Sequence, residues 1–497
     1  MSELSFGSTE YPTWTPPRFT PTSIPALPSL TLSDDERALI EHLQSRANLA
    51  RTDMELTNAY YMGSQNLKNL EVAIPDQLAS KLRTLVGWAA TAVDPYVDRL
   101  HVEGFRLPGS TQADDTLGEV WALNGLDAEE SLAYTDALAM RQAWWLVGSD
   151  PDGGDVPRVT VESPLNVAAQ WDLSGRRLKA LLQTYTQDDQ SRATLMLPDR
   201  TIHIAQNERG EWELVDVDAH NFGWVTAARM ANRPRTDNRD GSSEITPALM
   251  SLIDSACRRL MGLEASSELY SVPRLLILGA SAEDFTNASG QARKAWDAYI
   301  SKINVLENDD EGNHPDVHQL AVYDPSVFTK VVEMYAAQAA GLVNALPQDL
   351  GLYTQGNPPS VESVDAMESR RNRHALTMQQ TFGVSHVAVQ QMALRYMNGG
   401  RLPDRYRRIE VDWSPPDLIN FPAAADAITK LTGGANPVLP ARSDVVLKRL
   451  GLSAVERAQI EQDRGAQVPN DIVSALQNAA TASRTPAQPV TDAPAAG

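Results

Sequence analysis

The chain has 497 residues and a single cysteine, Cys257. One thiol excludes an internal disulfide framework and fits a reducing compartment. On an apolar helix face Cys257 reads as a small packing residue, not a nucleophile. There is no apolar run long enough to span a bilayer, and no basic-then-apolar leader follows Met1, so a soluble, non-exported chain is expected. Cationic excess is missing too. With 43 Lys and Arg against 64 Asp and Glu, the formal net charge is −21. That balance argues against tight duplex binding, which needs clustered Lys and Arg to release counterions. It permits loose passage of DNA, because a wall that repels phosphate forms no deep binding minimum. No Gly-x-x-x-x-Gly-Lys-Ser/Thr loop is found, so no motor-type phosphate cradle. Gly-x-Ser-x-Gly and His-Glu-x-x-His are also missing. His314 and His318 are four apart, but Pro315 and the lack of helical patterning argue against zinc. The turn at residues 150–155 lacks EF-hand spacing and a closing glutamate. No active site, metal or cofactor is expected.

What is present is the substance of a large globular protein. Hydrophobic residues make up 42% and charged residues 22%, enough for two to four domains. Residues 1–30 hold Pro12, Pro16, Pro17, Pro21, Pro25 and Pro28, which predicts an extended arm. Ser33 and Glu36 form a capping box opening a helix patterned by Leu39, Ile40, Leu43, Leu49, Met54 and Leu56. Pro75 opens another, with Leu78, Leu82, Leu85, Val86 and Ala89 as its stripe. Helices are predicted over 115–123 and 128–146, with Trp121, Trp144 and Trp145 as core aromatics. Between 156 and 230 the period changes to two, at Val159/Val161, Leu195/Leu197, Ile202/Ile204 and Trp212/Leu214, which predicts an antiparallel sheet. Thr246-Pro247 starts a helix lined by Leu249, Leu252/Ile253, Ala256, Leu260 and Leu263. A short strand (274–278), a helix near 288–300 and an acidic loop (307–312) follow. After residue 397, residues 409–413 read as a strand returning to the sheet, then short helices over 443–450 and 453–462, then an unpatterned tail from about 477.

The most informative stretch is 324–397. Asp324-Pro325 caps a helix over 327–343, patterned by Val327, Val331, Met334/Tyr335 and Leu342. A Pro- and Gly-bearing loop follows, and Ser360 caps a second helix that continues past Gly383 towards Met397. A loop holding Leu350, Leu352 and Tyr353 between long helices is not an ordinary solvated connection, because exposed apolar tips usually touch something. Near the start of the second helix Glu362, Asp365 and Glu368 precede Arg370, Arg371 and Arg373. The acids suit the N-terminal macrodipole, and spacings of three allow a pair such as Glu368 with Arg371. A self-compensating solvated face and inter-subunit salt links are both compatible with that pattern.

This stretch resembles the stem helix, tunnel loop and tunnel helix of the tailed-bacteriophage portal proteins, of siphophage type. The carrying segments are LPQDLG (346–351), NPPSVESVDAMESR (357–370) and TFG (381–383). VDPYVDRLHVEGF (93–105) and NRPRTDNRDGSSEI (232–245) agree in order, and the resemblance runs from about residue 39 to 462. It implies an α+β multidomain subunit: an N-terminal arm (1–32), a wing with antiparallel sheet (33–241), a first stem helix (242–270) and a small α/β clip (271–323). A second stem helix (324–345), tunnel loop (346–359), long tunnel helix (360–398), return strand (399–416), helical crown (417–476) and disordered tail (477–497) complete it. It further implies a closed homo-oligomeric ring, dodecameric in the virion, that conducts double-stranded DNA at one capsid vertex. Implied partners are the major capsid protein, the terminase large subunit, head-completion or adaptor proteins and a scaffolding protein, with assembly in the host cytoplasm and no membrane partner. Gln348, Leu350, Tyr353, Gln355 and Asn357 are then the DNA-facing candidates, with Gly351 and Gly356 as loop hinges. Glu362, Asp365, Glu368, Arg370 and Arg371 are candidates for inter-subunit contact, and Asp309, Asp310 and Glu311 for motor docking. The alternative is a virion scaffold or adaptor without a conduit role. An enzyme such as a sugar hydrolase has no paired-carboxylate geometry to support it.

Overall fold

The computed structural model describes residues 33–67, 84–206, 212–270, 275–278, 316–319, 324–351, 361–416, 421–432 and most of 440–463, a few single positions and the pair 188–189 within these spans excepted. The expected arm, the first part of the helix from Pro75, the helix near 288–300, the acidic loop at 307–312 and the tail lie outside the described residues, and Leu85 and Val86 of that helix's expected stripe sit on non-helical backbone.

Helix α1 (Asp34–Tyr61) opens on the expected capping box. Ser33 Oγ accepts from the Glu36 amide at 3.3 Å, and Glu36 accepts from the Ser33 amide at 2.9 Å. Arg200 also donates to Glu36 at 2.6 Å, fixing the helix start to a turn of the large sheet. Ile40 and Leu43 are buried against that sheet, whereas Leu49 and Leu56 of the same sequence pattern are exposed. Two one-turn helices, α2 (Trp88–Thr91) and α3 (Asp94–Val97), lead to β1 (Val102–Arg106). Helix α4 (Asp115–Leu123) follows, with the Asp114 carboxylate accepting from the Leu117 amide.

Helix α5 spans Leu126–Met140, where the sequence predicts a helix over 128–146. The difference lies at Arg141, which takes φ 73°, and the chain leaves as strand β2 (Gln142–Gly148). The run from Ala143 to Val147 is buried on both faces, so it shows neither a helical stripe nor alternation to read. β2 is the central strand of a three-stranded antiparallel sheet between β3 (Arg158–Glu162) and β9 (Ala227–Ala231). Its alternation sends Trp145 into the main core and Trp144 towards a second core facing the larger sheet.

That larger sheet is an antiparallel meander of β4 (Val167–Trp171), β5 (Leu178–Gln187), β6 (Gln190–Met196), β7 (Thr201–Gln206) and β8 (Trp212–Asp218). Leu182, Leu195 and Ile202 sit in register across β5, β6 and β7 and meet Ile40 and Leu43 of α1. The expected mixture of helix and antiparallel sheet is therefore present, with the strands divided between two sheets.

Helix α6 (Pro247–Tyr270) begins with Thr246 Oγ1 accepting from the Leu249 amide. Leu249, Ile253, Ala256 and Cys257 are buried along one side, and burial pushes the Cys257 thiol above its usual pKa. Beyond it, β10 (Leu275–Leu278) and β11 (Asp316–Gln319) pair antiparallel, so the insert has a two-stranded base. Helix α7 (Ser326–Val343) returns along α6. Gly262 lets them approach: a Cβ there would lie 3.0 Å from the Phe328 ring.

Helix α8 (Val361–Met397) has 37 residues, about 55 Å at 1.5 Å per residue. Ala375, Met378, Phe382 and Val389 bury it in the main core, where the helix packs against β9, β2, α4 and the strand at 410–413. The strand expected at 409–413 is β12 (Glu410–Trp413). It pairs with β1, more than 300 residues earlier, and not with either larger sheet, so it forms a separate ribbon. Helix α9 (Phe421–Thr432), in the span that the resemblance gives to helices though no residue pattern was read for it, precedes α10 (Asp444–Arg449). Glu103 on the ribbon accepts from Arg457 at 2.9 Å and lies 3.5 Å from Lys448, joining this C-terminal region to β1.

Candidate functional site

The two stem helices and the elbow joining α7 to α8 form the candidate site. The Asp324 carboxylate accepts from the Ser326 amide at 2.9 Å and the Ser326 hydroxyl at 2.7 Å, which hold its pKa below the usual range. The apolar pattern of α7 divides unexpectedly. The buried residues are Ala336, Ala339, Ala340 and Val343, while Val327, Met334 and Leu342 are about half exposed. Those three bulky residues of the sequence pattern therefore face outward, while Tyr335 packs against the main core, because close approach to α6 selects alanine on the inner side.

The helix ends at Asn344 in the left-handed region, with φ 53°. Tyr96 donates to the Val343 carbonyl at 3.4 Å and thus closes the C-terminal turn. A 3-10 turn follows at Pro347–Leu350, and Gly351 leaves it with φ 82°, a conformation that strains an L side chain.

Leu350 is 7% exposed and belongs to the main core, which corrects its expected place on the DNA-facing surface. The turn folds it inward, where burying an isobutyl group is favourable. Gln348 is half-buried and Gly351 exposed. Tyr353, Gln355, Gly356 and Asn357 lie outside the described residues, as do Asp309, Asp310 and Glu311. Glu362 and Asp365 sit on helical backbone, but their side chains lie outside the description.

Four alternating charges fix the elbow to the body. Asp349 accepts from the Leu346 amide at 3.1 Å and from Arg371 at 2.9 Å. Arg371 also donates to Glu368 at 3.0 Å, and Glu368 accepts from Arg99 at 2.6 Å. Arg99 continues to the Asn372 side chain at 3.1 Å and the Pro95 carbonyl at 2.6 Å. The Arg371 side chain is 6% exposed and that of Arg99 is 9%. The expected Glu368–Arg371 pair forms, but within one chain and largely buried, which corrects its assignment to contact between subunits. Proximity decides this, since both partners are already satisfied internally. Arg370 is exposed on the other side of the helix.

A second buried network holds α8 to the wing. Glu130 accepts from Tyr134 at 3.0 Å and lies 2.6 Å from His101 Nδ1. The Tyr134 hydroxyl is 2.9 Å from His386 Nε2. His386 is ringed by Trp121, Trp145 and Trp413, and burial lowers its pKa to about 3, so it is neutral. The hydrogen bond from Glu130 raises that of His101, while burial and then Glu130 raise that of Tyr134. These residues carry no legible motif, because Tyr134 and His386 are 252 positions apart. Both networks bind backbone and side chain in fixed positions and present no exposed nucleophile. Among the described residues no group of three or more His, Cys, Asp or Glu side chains could hold a metal ion. No described helix is long and apolar enough to cross a membrane.

Comparison with known proteins supplies the family of this arrangement of long helices, elbow and antiparallel sheets. Residues 40–437 match the family described as "Phage portal protein, SPP1 Gp6-like". The chain belongs to this family of portal proteins, which are structural virion components. The portal protein of Mycobacterium phage D29 is 33% identical over 420 residues, covering 82% of this chain and 84% of that one. The portal protein of Mycobacterium phage L5 is 32% identical over 451 residues, covering 88% and 90%. A chain in a solved structure titled "Neck of native GTA particle computed with C12 symmetry" aligns with TM-score 0.38 and 17% identity, over 79% of this chain and 97% of that chain.

Proposed function

We propose that copies of this chain close into a ring whose channel carries double-stranded DNA during packaging and ejection. The ring would be dodecameric in the virion and sit at one capsid vertex. The observation that carries assembly is the two-sided α7. Its alanine face is already buried, yet Val327, Met334 and Leu342 remain on one outward strip. A helix that is apolar on opposite sides needs a second partner, and a neighbouring copy supplies one by symmetry.

The elbow then forms a collar. Asp349 and Arg371 hold its near end, so the segment after Gly351 is presented from a fixed base. Gln348, Tyr353, Gln355 and Asn357 are the residues proposed to face DNA, with Gly351 and Gly356 permitting rearrangement. Neutral tips brush phosphate without lasting ion pairs, and a net charge of −21 disfavours a deep electrostatic trap. Glu362, Asp365 and Arg370 remain proposed for contact between copies. Asp309, Asp310 and Glu311 are proposed to meet the terminase large subunit and, later, head-completion proteins. The major capsid protein and a scaffolding protein would surround the ring during assembly in the host cytoplasm. Energy for DNA movement would come from the docked motor.

The test deletes residues 353–357 and measures DNA per particle after packaging. Reduced filling or loss of retained genome is expected in particles that still incorporate the subunit. Normal filling and retention would remove the elbow from DNA handling. Purified protein viewed end-on must also show rings with a central opening.

A further inference from the structure

Where α1 passes over the start of β2 and the edge of β4, the fold leaves a partly open cavity of about 40 Å³. Its wall includes Arg46, Arg141, Gln142, Trp144, Trp171 and Asp240. Three polar atoms here are cut off from solvent and have no hydrogen-bond partner among the described residues: Arg141 Nε, Gln142 Oε1 and Trp144 Nε1. Gln142 is 8% exposed and Trp144 2%, so neither can turn to water. Leaving such groups unsatisfied carries the full cost of their desolvation. Unpaired atoms converging on one cavity therefore call for a common partner.

Charge decides which partner. Asp240 is engaged by Arg229 at 2.5 Å. Arg229 is pushed down by burial, then up by Asp240, with Arg239 and Arg46 adding repulsion of like sign. Arg46 and Arg141 have no carboxylate within salt-bridge distance among the described residues. Two arginines without a carboxylate partner among the described residues thus line one cavity, Arg141 partly buried and Arg46 from the exposed side of α1. Water could satisfy the indole N–H and the amide, but it would leave the cations unmatched. A reversed Gln142 amide occupies the same space and turns its N–H groups to the cavity. Every unpaired group then donates, which is the environment of an anion.

Volume sets the size. A water needs roughly 10–15 Å³ on this scale, so the cavity holds a few waters or one small planar anion. A phosphodiester with its flanking sugars is too large. We propose that this cavity binds a single carboxylate, held by Arg46, Arg141, Gln142 and Trp144. The carboxylate belongs to a free small anion or to an acidic side chain of another copy.

The experiment is calorimetric titration of the full chain with sodium formate at constant ionic strength, with sedimentation defining its assembly state. Saturable binding to the unassembled chain is expected, weakened at least tenfold by Arg46→Gln and by Trp144→Phe. Arg46 is exposed on its helix, so Arg46→Gln tests the site even where Trp144→Phe perturbs the core. Formate binding that disappears on assembly assigns the site to a neighbour's acidic side chain. Binding that persists assigns it to a free anion. No saturable binding to the unassembled chain, or binding undiminished by Arg46→Gln, means that the cavity holds only water and overturns the proposal.

Discussion

Replacing Arg371 by methionine removes the centre of the four-charge chain while keeping much of the side-chain volume. Breaking a buried ion pair by deleting one partner typically costs about 3–5 kcal/mol, because the other charge is left uncompensated. Here both carboxylates keep another partner: Asp349 the Leu346 amide, and Glu368 the Arg99 guanidinium. The Asp349 side chain is also 30% exposed and can regain water. The expected loss is therefore about 2–3 kcal/mol. Asp349→Asn retains an acceptor for Leu346 but loses the charge, and should cost about 1 kcal/mol. If the two side chains act on each other, the double variant will be less destabilised than the sum by about 1–2 kcal/mol. Urea denaturation at one fixed, low protein concentration measures all four corners of the cycle. Amide hydrogen exchange supplies a local readout, since the Gly351 amide donates to Gln348 within the turn and should exchange faster in Arg371→Met. Additive losses, together with unchanged exchange at Gly351, would refute the claim that this contact holds the elbow.

Two further predictions concern pH. The pKa of His386 is about 3 when folded against about 6.5 when unfolded, so the unfolded chain binds the extra proton between those values and stability falls with pH in that window. Wild type should lose about 2 kcal/mol from this residue between pH 7 and 5, a loss absent from His386→Asn. His101 has a raised pKa and contributes with the opposite sign, stabilising below its unfolded pKa and losing that as pH rises, so the difference between variant and wild type is the readout. Asp136 is raised to about 6 by burial, with a Ser163 hydrogen bond opposing the shift. The folded chain holds this proton more tightly, so its charge becomes a penalty as pH rises through that range. Asp136→Asn should stabilise the chain by about 3 kcal/mol at pH 7 and by only about 0.5 kcal/mol at pH 4, measured by denaturant midpoints.

Helices with a strong local start were legible. Ser33 with Glu36, Thr246 with Pro247, and Asp324 with Pro325 all mark real helix beginnings, because a cap is satisfied by residues only two or three positions away. The long helix to Met397 and the period-two wing were readable from patterning of similarly short range. Where both faces of an element are buried the signal vanishes, as at Trp144 and Trp145, and a helix was predicted through a strand. On α7 the limit was of another kind. Hydrophobic spacing identifies an apolar side of a helix but not which partner it meets, so the pattern of Val327, Met334 and Leu342 did not reveal that small alanines fill the inner contact. The Glu368–Arg371 pair was visible at its i, i+3 spacing, but Arg99 and Asp349, which bury and complete it, were not. Nor were Glu130, Tyr134 and His386 recognisable as a unit, since only the tertiary fold brings α5 and α8 together.

The crossing of α6 and α7 at Gly262 has a mechanical meaning. With the Phe328 ring seated against bare backbone, the clearance between the rods is smaller than a methyl group. Neither rod can slip lengthwise without forcing an aromatic edge over a ridge of the other. A pull applied where β10 meets β11 would thus reach the elbow as displacement, because the joint is a keyed strut with no slack to absorb it.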